Sequence, residues 1–590
     1  MSRSLGNIFH IFRRLWHHLR PRRRTQLVLL LVLMVFTAFA EIFSLGAVFP
    51  FLSALTNPDL VYENQFVQPI LKAMGITSPN DMLLPLTLAF CSAALLAGTM
   101  RLMQIWANTR IAFAAGADLS VEIYKRTLYQ SYAIHVARNS STIIDAVVSK
   151  VNLAIFSVID PTLNMITAII LMVSIMATLI IINPIIAVLS FSGFGLTYGL
   201  IVVMTRRRLK QNSNIISKES RFVVKTLQEG LGGIRDVLID GNQAEYCKVY
   251  SNAVFPLRRA QGNNLFIRLS PRLGIEAIGM IFIASVAYWL SSKNSGVTSA
   301  IPVIGAFALG AQRLLPLLQQ IYGGWSSVQG SAASIKVLFD LLEQPLTVQV
   351  SSCDQEELPF NKLIVLNDIS FRYSTGTSEV LSNIDLEIPK GGKVGFIGAT
   401  GSGKSTLLDV VMGLLRPTKG TIEVDGTVIT PENQRSWQQH IAHVPQTIFL
   451  SDMTIEENIA LGVPKTKINH ERVHRAAMLA ELDNLIESWP EKYQTVVGER
   501  GVSLSGGQRQ RIGIARALYK QADVIIFDEA TSALDTKTES AVMQNIEQLH
   551  GELTMLIIAH RLTTLRSCDI IVELDNGKIH KVGTYEEIVG

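Results

Sequence analysis

Long apolar runs dominate the first part of the chain, and polar segments with helical spacing separate them. Six of the runs are long enough to cross a bilayer, for which about 20 apolar residues suffice. They extend over 26–54, 83–106, 158–182, 184–205, 273–291 and 299–321. We expect the polar stretches 107–157 and 206–272 to continue the membrane helices into the cytosol and to end in short crossing helices, one of them at the glycine-rich segment 228–238.

The pattern of apolar and polar positions changes near residue 345. Residues 345–362 are polar and rich in turn formers, as expected of a linker. After them, short apolar strands alternate with amphipathic helices, which is typical of an α/β fold. We therefore predict a polytopic α-helical membrane domain with six transmembrane helices at 1–344, a linker at 345–362 and an α/β P-loop domain at 363–590.

The balance of residue types agrees with a chain that is partly dissolved in lipid. Apolar residues make up 48% of the 590 residues and charged residues only 17%, and the length is too great for a single hydrophobic core. Six arginines form a basic cytoplasmic segment before the first apolar run. They are Arg13, Arg14, Arg20, Arg22, Arg23 and Arg24. We interpret this cluster as a juxtamembrane anchor and expect no nucleic-acid partner.

The distribution of cations predicts how the chain is oriented. The first long outer loop, 55–82, carries Lys72 as its single cation, whereas the stretch 206–272 carries thirteen lysines and arginines. Because Lys and Arg are enriched in cytoplasmic loops, the N-terminus and 206–272 are predicted to be cytosolic. Six spans return the chain to the same side, so we expect a multi-pass protein of the cytoplasmic (inner) membrane with its α/β domain in the cytosol.

The α/β domain contains a glycine-rich loop with the pattern G-x-x-x-x-G-K-[ST]. A strand-like run precedes the loop and a helix-like run follows it, so backbone N–H groups at a helix N-terminus can bind nucleotide phosphates. The predicted nucleotide-binding residues here are Gly398, Ala399, Thr400, Gly401, Ser402, Gly403, Lys404, Ser405 and Thr406. Lys404 is expected to reach the β- and γ-phosphates and Ser405 to hold Mg²⁺, which makes ATP and Mg²⁺ the predicted cofactors.

Further candidate residues lie downstream of this loop and shortly before it. Asp528 and Glu529 follow a buried strand, at the end of a parallel sheet where ligands bind. Asp528 is predicted to hold Mg²⁺ and Glu529 to polarise an attacking water. The segment 505–508 opens a helix and offers its own donors to an anion. Tyr373 could stack on an adenine, although an aromatic in this position could equally belong to a core.

These features occur in one order along the chain, and the chain resembles an ATP-binding cassette (ABC) exporter of the half-transporter type. The ordered set is Tyr373, the loop 398–405, Gln446, the segments 498–501, 504–508, 528–529 and 532–535, and His560. The resemblance implies that two cassettes meet head to tail. Each ATP would then lie between the loop 398–405 of one cassette and the segment 505–508 of the other. The expected partner is a second half-transporter, either an identical chain or a similar one.

The resemblance also implies roles for individual residues. The implied catalytic set is Lys404, Gln446, Glu529 and His560. Gln446 is implied to contact Mg²⁺ and to relay nucleotide state, while His560 is implied to contact the γ-phosphate and position the water. Asp535 is implied to communicate across the dimer. The implied contacts to the second nucleotide come from Ser505, Gly506, Gly507 and Gln508.

Ionisable residues inside or near the apolar runs are candidates for substrate contact. Such residues are costly in lipid and face a bundle interior or a wet cavity, unless they snorkel or form a structural ion pair. We expect Arg101 to snorkel, and Glu276 to lie at the depth of Arg313 and to pair with it. The candidate substrate residues are Glu41, Arg272, Glu276 and Arg313. Arg272 could instead mark the cytoplasmic boundary.

The segments 40–51, 270–280 and 312–316 are similar to bacterial flippases for lipid-linked oligosaccharides. The sequence therefore predicts an ATP hydrolase that exports or flips an amphipathic substrate, such as a lipid-linked saccharide or another lipid. Export of a different hydrophobic compound or a peptide is an alternative, and so is an ATP-gated channel on the same scaffold. A P-type pump is disfavoured, because it needs Asp-Lys-Thr-Gly where this chain has Asp535-Thr-Lys-Thr.

Overall fold

A computed structural model describes most of the chain, over residues 2–56, 82–182, 184–291, 297–345, 358–373, 378–498, 501–548, 553–559 and 561–589. The chain divides into two compact units. The first, here called the helical unit, comprises Met1–Tyr129 and Arg138–Leu346. The second, the α/β unit, comprises Gln130–Ala137 and Thr347–Gly590. The division at 346/347 falls within the interval that the sequence marks as a linker.

Long helices and a few short ones build the helical unit. They are α1 (Ser2–His18), α2 (Pro21–Thr56), α3 (Leu83–Leu128), α5 (Ser140–Asp145), α6 (Val151–Ala154), α7 (Asp160–Ile182), α8 (Pro184–Gly232), α9 (Ile234–Ile239), α10 (Gln243–Ser291) and α11 (Val297–Leu342). The segments α5 to α7 form one continuous helical run, because the π-helical turns Ala146–Lys150 and Ile155–Ile159 join them. Proline begins both α2 and α8, where its missing N–H costs no hydrogen bond.

Each of the six predicted spans lies on one long helix, and the helices extend beyond the apolar runs as expected. By length and hydropathy, three stretches among the described residues qualify as spans, namely Pro21–Ser44, Leu83–Leu128 and Ser140–Ile181. The other three predicted spans lie on α8, α10 and α11. The predicted bend near 228–238 is also present, because α8 ends at Gly232 and the short helix α9 follows.

Polar side chains join the helices of this unit across its buried interior. Gln104 on α3 donates to Thr167 on α7 at 2.6 Å, and Asn212 on α8 donates to Asn264 on α10 at 2.8 Å. Buried polar groups need such partners, since an unpaired one costs about 1–3 kcal/mol. The bonds therefore fix the register of neighbouring helices.

The α/β unit has two sheets and short helices. Its strands are β1 (Leu363–Phe371), β2 (Leu381–Pro389), β3 (Lys393–Ile397), β4 (Lys419–Val424), β5 (Thr427–Val428), β6 (Ile441–Val444), β7 (Val524–Asp528), β8 (Thr554–Ile558), β9 (Ile570–Asp575) and β10 (Lys578–Gly583). Its helices are α4 (Tyr132–Ala137), α12 (Lys404–Val411), α13 (Gln434–Gln439), α14 (Ile455–Ile459), α15 (His470–Leu479), α16 (Asp483–Glu487), α17 (Gly506–Lys520), α18 (Thr536–Glu547) and α19 (Tyr585–Ile588).

The larger sheet has the strand order β10-β9-β3-β8-β7-β6. The strand β3 is parallel to β8 and β9, and β7 is parallel to β6 and β8. The interiors of the central strands β3, β7 and β8 are apolar and buried, as expected where both faces of a sheet are covered. The carboxyl ends of β3, β7 and β8 consequently lie along one edge of the sheet, and the candidate site forms there.

Candidate functional site

The glycine-rich loop joins the end of β3 to the start of α12, and its shape depends on two glycines. Gly398 has φ 142° and Gly403 has φ 103°, values that side chains disfavour. A Cβ at Gly398 would overlap the carbonyl oxygen of Leu574, and one at Gly403 would lie 2.9 Å from Leu381 Cδ2. Both positions therefore require glycine, because the loop backbone packs closely against neighbouring residues there, while residues 398–401 stay exposed at the surface, where an anion could approach.

Lys404, the first residue of α12, is buried and directed along the loop. Its Nζ donates to the carbonyl oxygens of Gly398 at 2.8 Å and Ala399 at 2.9 Å. Ser402 is also buried, and among the described residues its Oγ has no hydrogen-bond partner. A buried ammonium and a buried hydroxyl within one glycine loop fit a nucleotide phosphate.

The residues after the loop face two other elements of the unit. Ser405 Oγ lies 3.4 Å from Asp528 Oδ1 at the end of β7. Thr406 Oγ1 lies 3.3 Å from the hydroxyl of Tyr373. Tyr373 packs edge-on against Phe371 and remains 47% exposed, so its ring keeps an open surface on which a base could stack.

The two neighbouring carboxylates have different environments. Burial raises the pKa of Asp528, the charge of Glu529 raises it further, and Ser405 and Lys404 oppose the change. Glu529 adopts φ 52° and its N–H donates to the Ile558 carbonyl at 3.0 Å. The Gln446 side-chain amide donates to Glu529 Oε2. The structure thus brings Gln446, Ser405 and both carboxylates to one sheet edge.

The segment 505–508 begins helix α17, and its end residues hydrogen-bond to one another. Ser505 caps α17 by accepting from the Gln508 N–H at 3.2 Å, and the Gln508 side chain accepts from the Ser505 N–H at 2.8 Å. Gly506 and Gly507 pack against Ala533, where a Cβ on Gly507 would lie 3.1 Å from the Ala533 oxygen. The first turn of α17 therefore presents backbone rather than side chains at its surface.

Two candidate functional residues, Asp409 and Gln510, were not predicted from the sequence. Asp409 on α12 has its pKa raised to about 6 by burial and by the charge of Asp528, although a single Asp within an apolar helix carries no motif. Gln510 is buried, donates to Ser532 Oγ at 3.2 Å and accepts from the Ala533 N–H at 2.9 Å. It links α17 to the loop after Glu529, a contact that only the fold reveals.

Of the remaining motif residues, Asp535 lies within the described part of the chain and His560 lies outside it. Asp535 caps α18 by accepting from the Thr538 N–H at 3.0 Å and its hydroxyl at 2.7 Å. These hydrogen bonds lower the pKa of Asp535. His560 lies outside the described residues, so the role given to it stays a prediction.

Comparisons with known proteins place this arrangement in a family. The protein-family model described as "ABC transporter" matches residues 381–532. The chain is 34% identical over 394 residues to the ATP-dependent lipid A-core flippase of Chromohalobacter salexigens, which covers 66% of this chain and 67% of the relative. It is 31% identical over 426 residues to the flippase of the same name from Bordetella avium, which covers 70% and 71%.

The chain belongs to the ABC transporter family. It is a half-transporter of the exporter type that couples ATP hydrolysis to transport, as the sequence predicts. A Bacillus subtilis relative named for multidrug export is 28% identical over 487 residues, which covers 82% of each chain. A solved structure of a bacterial Atm1-family ABC exporter with ATP bound matches with a TM-score of 0.77 and 22% identity over 96% of each chain. At that identity the likeness shows the fold, a helical membrane domain followed by an α/β P-loop domain.

The membrane helices of this ABC transporter hold one candidate substrate residue, a buried glutamate, close to a partly exposed arginine. Glu41 is 5% exposed, and its Oε1 lies 3.8 Å from Arg101 Nη1. The two side chains line a cavity of 310 Å³ together with Gln312. Arg101 therefore lies near a carboxylate while its side chain stays 45% exposed, and the prediction that it snorkels stays a prediction.

The other candidate substrate residues lie on α10 and α11. Arg272 Nε donates to Glu276 Oε1 at 2.6 Å on the same helix. The side chain of Arg313 lies outside the described part of the chain, so its pairing with Glu276 stays a prediction. In the structure Glu276 contacts Arg272.

Proposed function

We propose that this ABC transporter uses ATP to flip a lipid-linked saccharide, or a related amphipathic lipid, across the cytoplasmic membrane. The observation that carries the proposal is the similarity to relatives that are named lipid A-core flippases and come from several organisms. The pair of the buried Glu41 and the partly exposed Arg101, together with its cavity, supports the proposal, because ionisable groups within a membrane bundle mark substrate paths. The ATP-dependent step drives alternating access of such a cavity.

Hydrolysis is proposed to proceed by attack of water on the γ-phosphate. Glu529 polarises the water, and the Gln446 amide orients the Glu529 carboxylate through their hydrogen bond. Lys404 and the backbone of the loop 398–406 stabilise the charge that develops on the phosphates. His560 is proposed to contact the same γ-phosphate, and Tyr373 to stack on the adenine.

Three side-chain oxygen ligands in the candidate site fit a magnesium ion. Ser405, Gln446 and Asp528 supply oxygen ligands of the kind that Mg²⁺ takes together with nucleotide phosphates. A bound Mg²⁺ would neutralise phosphate charge. Its presence would also favour the ionised form of Asp528, whose pKa burial raises in the protein alone.

A second half-transporter completes the proposed site. Its segment Ser505 to Gln508 would meet the nucleotide held by the first chain, and the partner is an identical chain or a similar one. The exposed Ser505 and the half-buried glycine turn that follows it at the N-terminus of α17 support this role. We propose the domain limits 1–344, 345–362 and 363–590, with the N-terminus and the α/β unit in the cytosol.

Reconstitution tests the proposal directly. The full chain is placed in vesicles that contain a fluorescent lipid-linked saccharide, and ATP is added from outside. We expect ATP to move labelled lipid away from a membrane-impermeant quencher, and Glu529→Gln to abolish the movement. ATP turnover without movement of any lipid-linked saccharide would overturn the proposed substrate class.

Export of a small hydrophobic compound is the second candidate, because one relative is named for multidrug export. The same vesicles discriminate the two functions. A flippase moves the labelled lipid, whereas a drug exporter accumulates a hydrophobic dye inside vesicles while the lipid distribution stays unchanged.

A further inference from the structure

One cavity of the α/β unit lies away from the candidate nucleotide site. Its volume is 280 Å³, and its lining residues lie within 472–479 and 517–525, with Leu553 beside them. They belong to α15, to the end of α17 and to the starts of β7 and β8. The glycine loop and the two candidate carboxylates lie at the carboxyl ends of β3 and β7. This cavity, here called the α15–α17 pocket, therefore lies at the opposite edge of the sheet.

Much of the pocket wall is apolar and rigid. Ala476 on α15, Leu518 on α17 and Ile525 on β7 line the pocket and are at most 8% exposed. They belong to a hydrophobic core of the unit, so packing fixes their positions. Leu479 and Leu553 complete the apolar wall. An apolar group that enters the pocket would leave water for a preformed apolar surface, which favours binding.

The charged lining residues carry a net positive charge. Arg472 and Arg475 lie three positions apart on α15, which places them on the same face of the helix. Asp523 is the one carboxylate among the lining residues, and its Oδ2 contacts His440 Nδ1. Neither arginine forms an ion pair with a carboxylate in the described part of the chain. Two guanidinium groups thus stand against one carboxylate in the pocket, and the surplus suits a monoanion.

Contacts between α15 and α17 hold Arg472 in place. Its guanidinium lies 4.7 Å from the centre of the Tyr519 ring, a cation–π contact. The Tyr519 hydroxyl accepts from the Asn469 N–H at 3.3 Å, and the Asn469 side chain accepts from the Arg472 N–H at 3.0 Å. A cation that is already positioned binds an anion more strongly, because less conformational freedom is lost when the ligand arrives.

The Arg472 side chain also keeps hydrogen-bonding capacity that the described residues do not use. Its Nε is shielded from solvent and has no hydrogen-bond partner among them. A shielded N–H without a partner is unfavourable, so an acceptor brought to this side chain would be stabilising. Arg475 is exposed and adds a second guanidinium. The planar fork of a guanidinium matches the two oxygens of a carboxylate.

We propose that the α15–α17 pocket binds a small amphipathic monocarboxylate. The carboxylate meets Arg472 and Arg475, and the apolar group of the ligand lies against Leu518 and Ile525. The surplus of one positive charge selects the monoanion, and the apolar wall selects an anion with an apolar group. This site goes beyond the proposed function, because it depends neither on the transported substrate nor on the nucleotide.

The test uses the full chain in lipid nanodiscs, with binding measured by saturation-transfer difference NMR and nanodiscs without protein as the blank. The probes are 3-phenylpropionate, its neutral amide and acetate. We expect 3-phenylpropionate to bind at least about tenfold more tightly than the amide, the difference that one charge-assisted hydrogen bond gives. It should also bind more tightly than acetate, which has no apolar group to bury. Equal affinity for the acid and the amide would overturn the inference.

Variants place the probe in the pocket. Arg475→Gln should reduce the preference for the acid over the amide, and Arg475→Lys should retain part of it. Arg472→Gln combined with Arg475→Gln should abolish it. The unfolding temperature of each variant shows that the unit is folded, and the exposed position of Arg475 makes its single variant the safer one. A preference that persists in a folded double variant would refute the site.

Arg435→Gln is the matched control, because Arg435 is an exposed arginine of α13 that does not line the pocket. It should keep the native preference for the acid. A loss in this control as large as that in Arg475→Gln would indicate a general effect of charge and would also refute the site.

Nucleotide distinguishes this pocket from the glycine loop, which also attracts anions. Saturating ATP should leave the binding of 3-phenylpropionate unchanged, since the two sites lie at opposite edges of the sheet. Displacement of the probe by ATP, together with no effect of Arg475→Gln, would place the probe at the glycine loop and overturn the inference.

Discussion

The polar contacts of the candidate nucleotide site in the α/β unit join residues that are close together in the sequence. Ser505 and Gln508 cap one another across three positions, and Lys404 donates to carbonyls five and six positions earlier. In the helical unit, Glu41 meets Arg101 on another helix and Gln104 meets Thr167 across 63 positions. Short loops at strand ends thus set the local geometry of the nucleotide site. The membrane bundle instead obtains its polar contacts from helix packing, which no short motif encodes.

The largest effect is expected on the stability of the helical unit, when a buried ion pair is broken. Lys150 Nζ lies 3.2 Å from Asp145 Oδ2, both side chains are at most 4% exposed, and Ser220 donates to Asp145 at 3.0 Å. Asp145→Asn should lower the free energy of unfolding by about 3–5 kcal/mol, because a buried ammonium loses its countercharge. Unfolding of the purified full chain in detergent measures the change.

The matched control for that prediction removes both charges. Asp145→Asn combined with Lys150→Met should recover much of the lost stability, since no buried charge remains. A double variant as unstable as the single one would show that packing, rather than charge, accounts for the loss.

Glu529→Gln tests the nucleotide site. Turnover of ATP should fall by at least about a hundredfold, the usual scale for a general base and about 2.7 kcal/mol of activation free energy. Binding of ATP should persist, because Lys404 and the glycine loop are untouched. Glu471→Gln, which changes an exposed carboxylate of the same unit, is the control, and unchanged turnover in Glu529→Gln would refute the catalytic role.

The sequence locates the candidate nucleotide site because its motifs are local patterns, while the roles of the individual site residues stay predictions. The family, the fold class and the ATP-dependent activity are confirmed, and the loop around Gly398 and Gly403 adopts the conformation its glycines predict. In the membrane bundle, hydropathy places the helices but not their contacts. The pair Glu41–Arg101 was missed because the rotation of α2 against α3 decides it, and apolar runs contain no information about rotation.

A smaller effect on stability is expected for the pair Glu41–Arg101. Arg101 is 45% exposed on its side chain, so solvent screens the interaction, and Arg101→Gln should cost about 1 kcal/mol of unfolding free energy. Glu41→Gln together with Arg101→Gln should be close to the native stability. An additive loss in the double variant would show that the two side chains do not interact.

The smallest effect concerns pH in the α/β unit. The pKa of Asp409 is raised to about 6 in the folded chain by burial and then by Asp528, so folding favours its protonated form. The stability that Asp409 contributes is present at low pH and is lost as the pH rises towards 6. Asp409→Asn should therefore raise the unfolding temperature at pH 7.5, and by less at pH 5.

Thermal unfolding of the full chain in detergent at both pH values measures this difference. Asp452→Asn, which changes an exposed carboxylate of the same unit, is the control. It should shift the unfolding temperature by the same small amount at both pH values. A stabilisation by Asp409→Asn that does not depend on pH would indicate a change in packing rather than in protonation.

Gln510 has a mechanical consequence for the α/β unit. Its two hydrogen bonds, to Ser532 and Ala533, are made by a side chain that is only 5% exposed. Separating α17 from that loop would strand these groups, at about 1–3 kcal/mol for each one left unsatisfied. The two segments would consequently be displaced together, so a shift of the first turn of α17 would also shift the backbone that carries Glu529.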